Sequence, residues 1–526
     1  MDGTLEVTWA DYARRVRAIA AGLNAVGMRR GDTLATMLVN RPEFNLVDTA
    51  TMHLGVASFS LYNTLPHEQI AYQLGNSRAS VVVTEPQFLE QVLAARTPAI
   101  HTVVLVEGTH TDAMTLADLE GLEPGAFDFD AAWRAVEPSD VLTLVYTSGT
   151  TGNPKGVELM HSNVLAACRG FATLVPPRPE PRVLSFLPAA HMGERWTAHY
   201  YPSICLGGAV TTVPSIADVP VGLRQVRPTM MITVARILEK LQAALQAAGV
   251  TDPGALDDEA KRAALASVGL DQADWVATGG GPVNPEMVRY FLGLGLVLIE
   301  VWGMTETGGL ASANPPEAIR VGTAGKAFPG MELRLLDDGE LLVRGPMVMR
   351  GYRDDPERTA EVLDADGWFC TGDIATVDDD GYVRIIDRKK EIIINAAGKN
   401  MSPANIEFQI KAATPLVGQA VCIGEGRSYN VALLVLDSDT ASRWAAERGL
   451  DTSVASLAEN EELHATIDAA VGDANSHLAR VEQIKKFAVL PNEWIPAGDE
   501  LTPTGKLKRR HIHEKYADVI EQMYAD

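Results

Sequence analysis

The stretch YTSGTTGNPKG, residues 146–156, contains three glycines, three threonines, one serine and one lysine. A glycine-rich loop lets several backbone N–H groups point at one centre, and its hydroxyl and ammonium groups add further donors. Polyphosphate is the ligand that such a loop suits best. The spacing excludes a Walker A loop, in which lysine directly follows glycine, because two residues separate Gly152 from Lys155.

Both flanks of this loop have the pattern of a β-strand. Residues 141–146 form an apolar run typical of a buried strand, and residues 157–160 show the alternation of another strand. The loop is therefore predicted to join two strands instead of opening a helix. It is predicted to be a phosphate-binding loop of a type other than Walker A.

Length and composition restrict the class of protein. A chain of 526 residues is too long for one compact core, so two or more domains are expected. The net charge of −23 argues against a nucleic-acid partner, although residues 506–510 form a local basic patch. Four cysteines without a CxxC pair indicate neither a zinc site nor a disulfide framework, which suits a reducing cytoplasm.

The apolar segments of the chain predict at most peripheral membrane contact. The N-terminus, MDGTLEVTWADYARR, lacks the basic start and apolar stretch of a signal peptide. The longest apolar run, residues 291–304, is interrupted by glycines and a glutamate and is too short to span a bilayer.

The order of helical and strand patterns predicts an α/β protein. Up to about residue 330, helical patterns such as residues 12–26 and 42–55 alternate with short strands such as residues 33–39 and 80–85. This alternation predicts mixed or parallel sheets with helices on their faces. A large N-terminal domain is expected over residues 1–387, and its residues 331–387 are expected to form a β-rich subdomain.

A small α+β domain is expected over residues 388–526. Its predicted strands are residues 419–424 and 430–437, and its predicted helices are residues 442–448, residues 461–478 and a last helix from Arg509. The charged run at residues 387–391 is taken as the domain boundary.

Six further motifs follow the loop in order: FLPAAHMGERW (186–196), ATGGGPVNPE (277–286), VWGMTETGG (301–309), CTGD (370–373), DRKKEIIINAAGKNMSPANIE (387–407) and TPTGKLKRR (502–510). Together with the loop they resemble the adenylate-forming superfamily of acyl-CoA synthetases, non-ribosomal adenylation domains and luciferases. Within it, the chain is most similar to long-chain fatty acid–CoA ligases. One motif alone is weak evidence, but all of them in the family's order are specific.

The resemblance implies a two-step ligase. A carboxylate attacks the α-phosphorus of ATP, pyrophosphate leaves, and the acyl-AMP passes its acyl group to the thiol of CoA. The first transition state gathers negative charge on phosphoryl oxygens and requires fixed donors and cations. Mg²⁺ is the implied cofactor, ATP and CoA are the implied co-substrates, and a medium- or long-chain fatty acid is the implied substrate.

Nucleotide-binding residues follow from the resemblance, position by position. The phosphate set is Thr147, Ser148, Gly149, Thr150, Thr151, Gly152 and Lys155, and the metal set is Glu306 with Thr147. The adenine set is Gly279, Gly280, Gly281, Pro282 and Trp302, extended by Gly303, Met304 and Thr305 as further ATP- or AMP-binding residues. Tyrosine is usual in the family at position 302; an indole still stacks but brings no hydroxyl, and core packing is the alternative role.

The remaining assignments concern ribose, the acid and the mobile domain. Asp373 resembles the ribose-binding aspartate, and Arg388 supplies a second ribose or phosphate contact or is a solvated linker charge. His191 borders the acyl-carboxylate pocket, and the adjacent Glu194 and Arg195 are interpreted as a structural ion pair.

Lys506 resembles the C-terminal lysine that reaches the α-phosphate and the carboxylate during adenylation, and Lys390 is the expected hinge. Ala397 stands where long-chain relatives often have glycine, which is expected either to narrow the thiol channel or to have no effect. Relatives usually have some dozens of residues before the helix near Tyr12, so the start is either shortened or this segment is dispensable. Because such segments often help dimers form, the oligomeric state stays open, with a homodimer as one alternative.

Other functions remain open from the sequence. A fatty acyl-AMP ligase that loads a carrier protein is disfavoured by the lack of an obvious insertion before the small domain, and a CoA ligase for sterol-side-chain or aromatic acids is a further alternative. A non-catalytic nucleotide- or lipid-binding relative is opposed by the joint presence of Thr147, Lys155, Glu306, Asp373, Arg388 and Lys506. The loop spacing disfavours a P-loop kinase.

Overall fold

The computed structural model describes residues 6–147, 153–281, 283–495, 498–502 and 505–525. By contacts between residues the chain divides into two compact units. The large unit comprises Met1–Leu333, Leu342–Cys370 and Asp378–Val383, and the small unit comprises Arg334–Leu341, Thr371–Val377 and Arg384–Asp526. Parts of the predicted β-rich subdomain thus group with the C-terminal residues, so the change of unit is spread over residues 333–384 instead of falling at one boundary.

The strands are β1 Thr33–Met37, β2 Ala57–Ser60, β3 Val81–Thr84, β4 Thr102–Leu105, β5 Met114–Thr115, β6 Val141–Thr147, β7 Lys155–Met160, β8 Arg182–Ser185, β9 Ala209–Thr212, β10 Met230–Thr233, β11 Trp275–Thr278, β12 Leu298–Trp302, β13 Ser312–Ala313, β14 Lys326–Ala327, β15 Glu332–Leu335, β16 Glu340–Arg344, β17 Gly351–Tyr352, β18 Phe369–Val377, β19 Val383–Arg388, β20 Ile393–Ile394, β21 Asn400–Met401, β22 Val417–Ile423, β23 Asn430–Leu436 and β24 Ile484–Leu490.

The α-helices are α1 Trp9–Ala25, α2 Pro42–Leu54, α3 His67–Ser77, α4 Pro86–Ala94, α5 Leu116–Glu120, α6 Phe129–Arg134, α7 His161–Leu174, α8 Met192–Glu194, α9 Val219–Val226, α10 Ala235–Ala247, α11 Asp258–Ser267, α12 Pro285–Gly293, α13 Pro356–Val362, α14 Pro403–Ala413, α15 Ser438–Ala446, α16 Val454–Ala458, α17 Glu461–Ser476, α18 Arg509–Lys515 and α19 Ala517–Ala525. A π-helix runs over Arg195–Cys205, and 3₁₀ turns over Ile216–Asp218, Pro253–Ala255 and Thr305–Thr307.

An eight-stranded sheet of order β17-β7-β6-β2-β1-β3-β4-β5 forms the first layer of the large unit. Strands β2, β1, β3, β4 and β5 run parallel, as does the β2–β6 pair, whereas β7 is antiparallel to both β6 and β17. Helices cover both faces: Val81 and Val83 belong to the core under α1 and α2, and Val82 belongs to the core under α3 and α4. This alternation follows from the period of two along a strand.

A second sheet of order β10-β11-β12-β13-β14 completes the large unit's main architecture. Strands β10, β11 and β12 are parallel, and β13 and β14 add antiparallel pairs. Helices α10 and α12 pack on this sheet through Leu238, Leu241 and Phe291. The predicted mixed α/β sheets are confirmed.

The small unit contains a three-stranded sheet of order β22-β23-β24. Alternate side chains of β23 face two cores: Leu434 packs with α14 and α17, and Leu433 packs with α18 and α19. The predicted helix 442–448 begins earlier, at Ser438, because Asp437 caps it by accepting a hydrogen bond from the Thr440 N–H at 3.1 Å.

A four-stranded sheet has the order β15-β16-β18-β19, and two-stranded sheets pair β8 with β9 and β20 with β21. Within the part of the chain that the structure describes, no helix combines the length and apolar character that a membrane-spanning helix needs.

Candidate active site

The predicted phosphate loop joins two antiparallel strands, as its flanks indicated. Thr147 ends β6, Lys155 begins β7, and the two residues face each other in register. Five predicted phosphate-binding residues, together with Pro282 of the adenine set, lie outside the described residues: Ser148, Gly149, Thr150, Thr151 and Gly152. The loop's base is therefore fixed by the sheet at the two positions that the sequence singled out.

Lys155, Tyr352 and Glu306 form a connected set in the large unit. The Lys155 Nζ lies 3.5 Å from the Tyr352 hydroxyl and 4.5 Å from the centre of its ring. The Tyr352 hydroxyl in turn donates to Glu306 Oε1 at 2.9 Å. Glu306 is buried, with 8% of its surface exposed. The Tyr352 phenol thus contacts both a cation, Lys155, and a carboxylate, Glu306.

Strand pairing explains why Tyr352 reaches this position. Strand β17 pairs with β7, and Tyr352 stands opposite Val157, two residues after Lys155. The backbone N–H of Met349 also donates to the Glu306 carbonyl at 2.8 Å, which fastens this segment beside the 3₁₀ turn that carries Glu306. Tyr352 was missed from the sequence, since only the long-range pairing of β17 brings it to the loop.

The donor set at Glu306 suits Mg²⁺ bound with a nucleotide. The described residues contain no group of three or more His, Cys, Asp and Glu side chains that could hold a metal ion by themselves. Magnesium typically uses one or two carboxylates, substrate phosphates and waters. One buried carboxylate beside a lysine and a glycine-rich loop fits that pattern.

Glycines of the predicted adenine set are required by the packing around them. A Cβ on Gly279 would lie 2.5 Å from the Val301 carbonyl oxygen, and a Cβ on Gly303 would lie 2.5 Å from the Leu310 Cα. Gly280 has a φ of +82°, which favours glycine. The backbone therefore runs close to its neighbours at the ends of β11 and β12, which are adjacent parallel strands.

The other adenine candidates lie at the same sheet edge. Trp302 is the last residue of β12 and is 9% exposed. Met304 and Thr305 follow in the turn that leads to Glu306, and the Met304 N–H donates to the Thr307 hydroxyl at 3.1 Å. Because the carboxyl ends of parallel strands share one edge, the predicted adenine residues and Glu306, the predicted metal ligand, belong to one region of the large unit.

His191 has one ring nitrogen committed to its own turn. Its Nδ1 accepts a hydrogen bond from the Gly193 N–H at 2.9 Å, where it caps the short helix α8. In the neutral ring the proton therefore resides on Nε2, which makes that atom a donor. This tautomer suits the orientation of a carboxylate or phosphate oxygen.

The predicted ion pair between Glu194 and Arg195 is wrong. Arg195 is fully buried and pairs with Asp48 at 3.2 Å, and the same Nη1 donates to the Thr143 hydroxyl at 2.6 Å. Glu194 instead accepts from the Leu187 N–H at 3.0 Å and from the Ser185 hydroxyl at 2.5 Å. Successive residues of a helix do not face each other, so adjacency in sequence misled the interpretation.

This buried network links the His191 segment to the strand that ends at the phosphate loop. Thr143 lies on β6, four residues before Thr147. Burial raises the pKa of Glu194 to about 7. Burial also acts to raise the pKa of Asp48, but Arg195 and His199 outweigh it and lower that pKa to about 2. Asp48 and Arg195 are therefore a charged pair inside the large unit.

The small unit brings the two predicted ribose residues together. Arg388 Nη1 donates to Asp373 Oδ1 at 2.6 Å and to the Thr371 carbonyl at 3.3 Å. Asp373 is buried, whereas half of the Arg388 side chain is exposed. An aspartate fixed on one oxygen by a guanidinium can present its other oxygen to a pair of hydroxyls.

Lys506 lies on a tight turn of the small unit. Leu501 and Leu507 form an isolated bridge around it, and the Thr502 N–H donates to the Lys506 carbonyl at 2.8 Å. The Lys506 N–H donates to the Thr502 hydroxyl at 3.0 Å, and Gly505 has a φ of +76°. Lys390 is exposed; its role as a hinge concerns a movement and stays a prediction.

Lys389, beside the proposed hinge, was also missed from the sequence. Its Nζ lies 2.6 Å from Asp338 and 2.6 Å from Glu340, all within the small unit. The charged run at residues 387–391 predicts a domain boundary, and its pattern carries no signal for partners some fifty positions upstream in the chain.

Comparison with known proteins gives the family. A family model described as AMP-binding enzyme matches residues 2–353, and one described as AMP-binding enzyme C-terminal domain matches residues 390–526. A chain of Mycobacterium tuberculosis (strain ATCC 25618 / H37Rv) assigned as the fatty-acid–CoA ligase fadD11 is 44% identical over 453 residues, covering 78% of each chain. The long-chain-fatty-acid–CoA ligase FadD15 of Mycobacterium bovis (strain ATCC BAA-935 / AF2122/97) is 33% identical, covering 99% of this chain and 92% of its own.

Solved structures share the fold. The ATP-bound MatB of Rhodopseudomonas palustris superposes with a TM-score of 0.77 at 23% identity, covering 98% of this chain and 95% of its own. The adenylation domain of the carboxylate reductase GR01_22995 of Mycobacterium chelonae gives a TM-score of 0.80 at 22% identity, covering 99% and 85%. The resemblance drawn from the motifs is confirmed, and the protein belongs to the AMP-binding enzyme family.

Proposed function

We propose that the protein activates a medium- or long-chain fatty acid with ATP and Mg²⁺ and transfers the acyl group to CoA. It is an AMP-forming acid–thiol ligase. The observation that carries the proposal is the Lys155–Tyr352–Glu306 set beside the glycine-rich loop, which supplies a cation and a metal-binding carboxylate at one place. The names of its relatives, fatty-acid–CoA ligases, support the choice of acid and acceptor.

In the first half-reaction a carboxylate oxygen forms a bond to the α-phosphorus of ATP. The bond from that phosphorus to the bridging oxygen breaks, and pyrophosphate leaves with the electron pair. Lys155 and the Thr147 hydroxyl bind the departing β- and γ-phosphates, while Lys506 contacts the α-phosphate and the carboxylate. Glu306 with Thr147 would hold Mg²⁺, which would supply positive charge to the phosphate oxygens.

The nucleoside is held by residues of several strands. Asp373, oriented by Arg388, accepts hydrogen bonds from the ribose hydroxyls. Gly280 and Gly281 let the adenine ring approach the backbone, and Trp302 offers an aromatic surface. His191 donates from Nε2 to the carboxylate or to a phosphate oxygen, and so orients the two reactants.

In the second half-reaction the CoA sulfur attacks the carbonyl carbon of the acyl-AMP. The thiol loses its proton, the carbonyl carbon–oxygen bond to phosphate breaks, and AMP leaves. Lys506 is not required at this stage, and rotation about Lys390 exchanges it for the acceptor thiol. An exposed, charged hinge residue remains solvated in both arrangements.

A panel of acids tests this function. The protein is incubated with Mg²⁺, ATP and fatty acids of graded length, with and without CoA, and pyrophosphate, AMP and acyl-CoA are measured. We expect acid-dependent release of pyrophosphate, and equal amounts of AMP and acyl-CoA when CoA is present. Arrest at acyl-AMP with free CoA would identify a carrier-protein ligase instead, and the absence of pyrophosphate with every acid would refute the proposal.

A further inference from the structure

We propose that Arg509 is a positioning residue that ties the Lys506 turn to the chain beside the hinge, so that Lys506 is delivered correctly for adenylation. The proposal rests on the function proposed above and assigns a role to a residue that does not itself touch the nucleotide. Arg509 acts through Lys506, and its loss therefore impairs the first half-reaction and spares the second.

The link begins at the turn itself. Lys506 precedes Arg509 by three residues, and Arg509 is the first residue of α18. Within this short span the Lys508 N–H donates to the Glu500 carbonyl at 2.8 Å, and the Lys508 Nζ donates to the Gly498 carbonyl at 2.8 Å. Because these hydrogen bonds restrict the short segment between the turn and the helix, the position of the Arg509 backbone sets the position of Lys506.

Arg509 is anchored on two sides by carboxylates. Its Nη1 and Nη2 donate to the two oxygens of Glu407, on α14, at 2.5 and 2.7 Å. Its Nε donates to Glu391 Oε2 at 3.1 Å. The Arg509 side chain is 16% exposed and that of Glu407 is 7% exposed. This is a bidentate pair with a third, separate bond, which only the planar guanidinium can make.

Glu391 is the residue immediately after Lys390, the proposed hinge. On the other side, Asp387 Oδ2 accepts from the Ser402 hydroxyl at 2.5 Å and from the Ala404 N–H at 3.1 Å, at the start of α14. The chain before Lys390 is thus fastened directly to the start of α14, and the chain after it is fastened to α14 through Arg509. Arg509 is the element that fastens the Lys506 turn to that helix as well.

The energetics make this anchor sensitive to small changes. Burial raises the pKa of Glu407, and Arg509 and the Cys422 N–H oppose that rise. Removing the guanidinium would leave a buried carboxylate without its charge partner, which is costly in any protein. Lysine at position 509 keeps the charge but has neither the bidentate geometry nor the third bond.

Two variants test the proposal, each measured in both half-reactions. Arg509→Lys alters the whole anchor, and Glu391→Gln weakens only the hinge-side bond while leaving the Arg509–Glu407 pair in place. Adenylation is followed as acid-dependent pyrophosphate release, and thioester formation is followed from supplied acyl-AMP and CoA. Arg510→Lys is the matched control, since Arg510 is the next residue on α18 and pairs with Glu514 in solvent, with 75% of its side chain exposed.

We expect Arg509→Lys to lower the adenylation rate about 10²-fold, the effect of a misplaced reactive group. Glu391→Gln should give a smaller loss in the same half-reaction. Thioester formation in both variants, and both half-reactions in Arg510→Lys, should stay within about twofold of the unaltered protein. Equal loss of both half-reactions, or no loss in either variant, would overturn the proposal. Should the unaltered protein fail to release pyrophosphate, the proposed function itself is refuted.

Discussion

The two lysines of the site, Lys155 and Lys506, are held in different ways. Lys155 begins a strand of the eight-stranded sheet, and its ammonium group lies 4.5 Å from the centre of the Tyr352 ring. Lys506 stands on a turn closed by Thr502 and Gly505 in the small unit. The first cation is part of a layered core, and the second is carried by a loop. We infer that the fixed cation, Lys155, holds the β- and γ-phosphates of ATP, whereas the loop-borne cation, Lys506, is brought to the α-phosphate and the carboxylate for adenylation.

The largest expected effect concerns the layered core of the large unit, which carries Lys155. Arg195→Met breaks the buried pair with Asp48 and should lower the free energy of unfolding by about 3–5 kcal/mol, because an uncompensated charge remains inside. Chemical denaturation measures it. Arg344→Met, which breaks an exposed pair with Glu332, should cost about 0–1 kcal/mol. Equal effects of the two substitutions on the free energy of unfolding would show that the buried pair stabilises the fold no more than the exposed pair.

Lys506→Ala tests the loop-borne cation. We expect acid-dependent pyrophosphate release to fall about 10²–10³-fold, since one donor to the transition state is lost. Thioester formation from supplied acyl-AMP should persist. Lys485→Ala, which removes an exposed lysine of the same unit, serves as the control. If both half-reactions fall together in Lys506→Ala, the assignment of Lys506 to adenylation alone is refuted.

The pH dependence of stability tests the buried side of the large unit. The pKa of Glu194 is raised by burial from 4.5 to about 7, so the folded state retains a proton that the unfolded state has lost between these values. The stabilisation of the folded state that comes from the raised pKa of Glu194 is fully present below pH 4.5 and is lost as the pH rises through about 7. That loss amounts to about 3 kcal/mol.

Glu194→Gln should therefore flatten the fall in stability over this pH range. Thermal unfolding at a series of pH values measures it, with Glu90→Gln on the surface as the control. An unchanged pH profile in Glu194→Gln would contradict the assignment of this carboxyl group.

The smallest expected effect concerns the phenol between cation and carboxylate. Tyr352→Phe keeps the ring beneath Lys155 but removes the hydrogen bond to Glu306. We expect kcat/KM for Mg-ATP to fall about tenfold, the cost of one hydrogen bond to a charged group. Tyr382→Phe removes a hydroxyl that donates to the Ala318 carbonyl and should leave kcat/KM unchanged. Similar values of kcat/KM in the two variants would show that the Tyr352 hydroxyl has no role in the site.

Local patterns predicted much of the fold, and motifs named site residues that the structure brings together. The loop at residues 146–156 was placed between two strands because apolar runs on both sides have a strand's period. Asp373 and Arg388 were both named from motifs, and the structure brings them together. Such predictions succeed because each motif is short and its neighbours in sequence determine its conformation.

The contacts that the sequence did not predict share one physical cause: they join residues that are far apart in the chain. Tyr352 reaches Lys155 only through the pairing of β17 with β7, and Arg195 reaches Asp48 through the packing of the π-helix against α2 and the sheet. Neither partner is marked by local periodicity. The π-helix over Arg195–Cys205 was likewise not predicted, because its side chains are held by buried partners that lie far away in the sequence.

The central claim is that a carboxylate oxygen displaces pyrophosphate from the α-phosphorus of ATP. A fatty acid labelled with oxygen-18 in its carboxylate tests it directly, with the products separated after reaction with Mg-ATP and CoA. The account predicts one labelled oxygen in the phosphate of AMP and none in pyrophosphate. Label in pyrophosphate or inorganic phosphate, or formation of ADP in place of AMP, would contradict it.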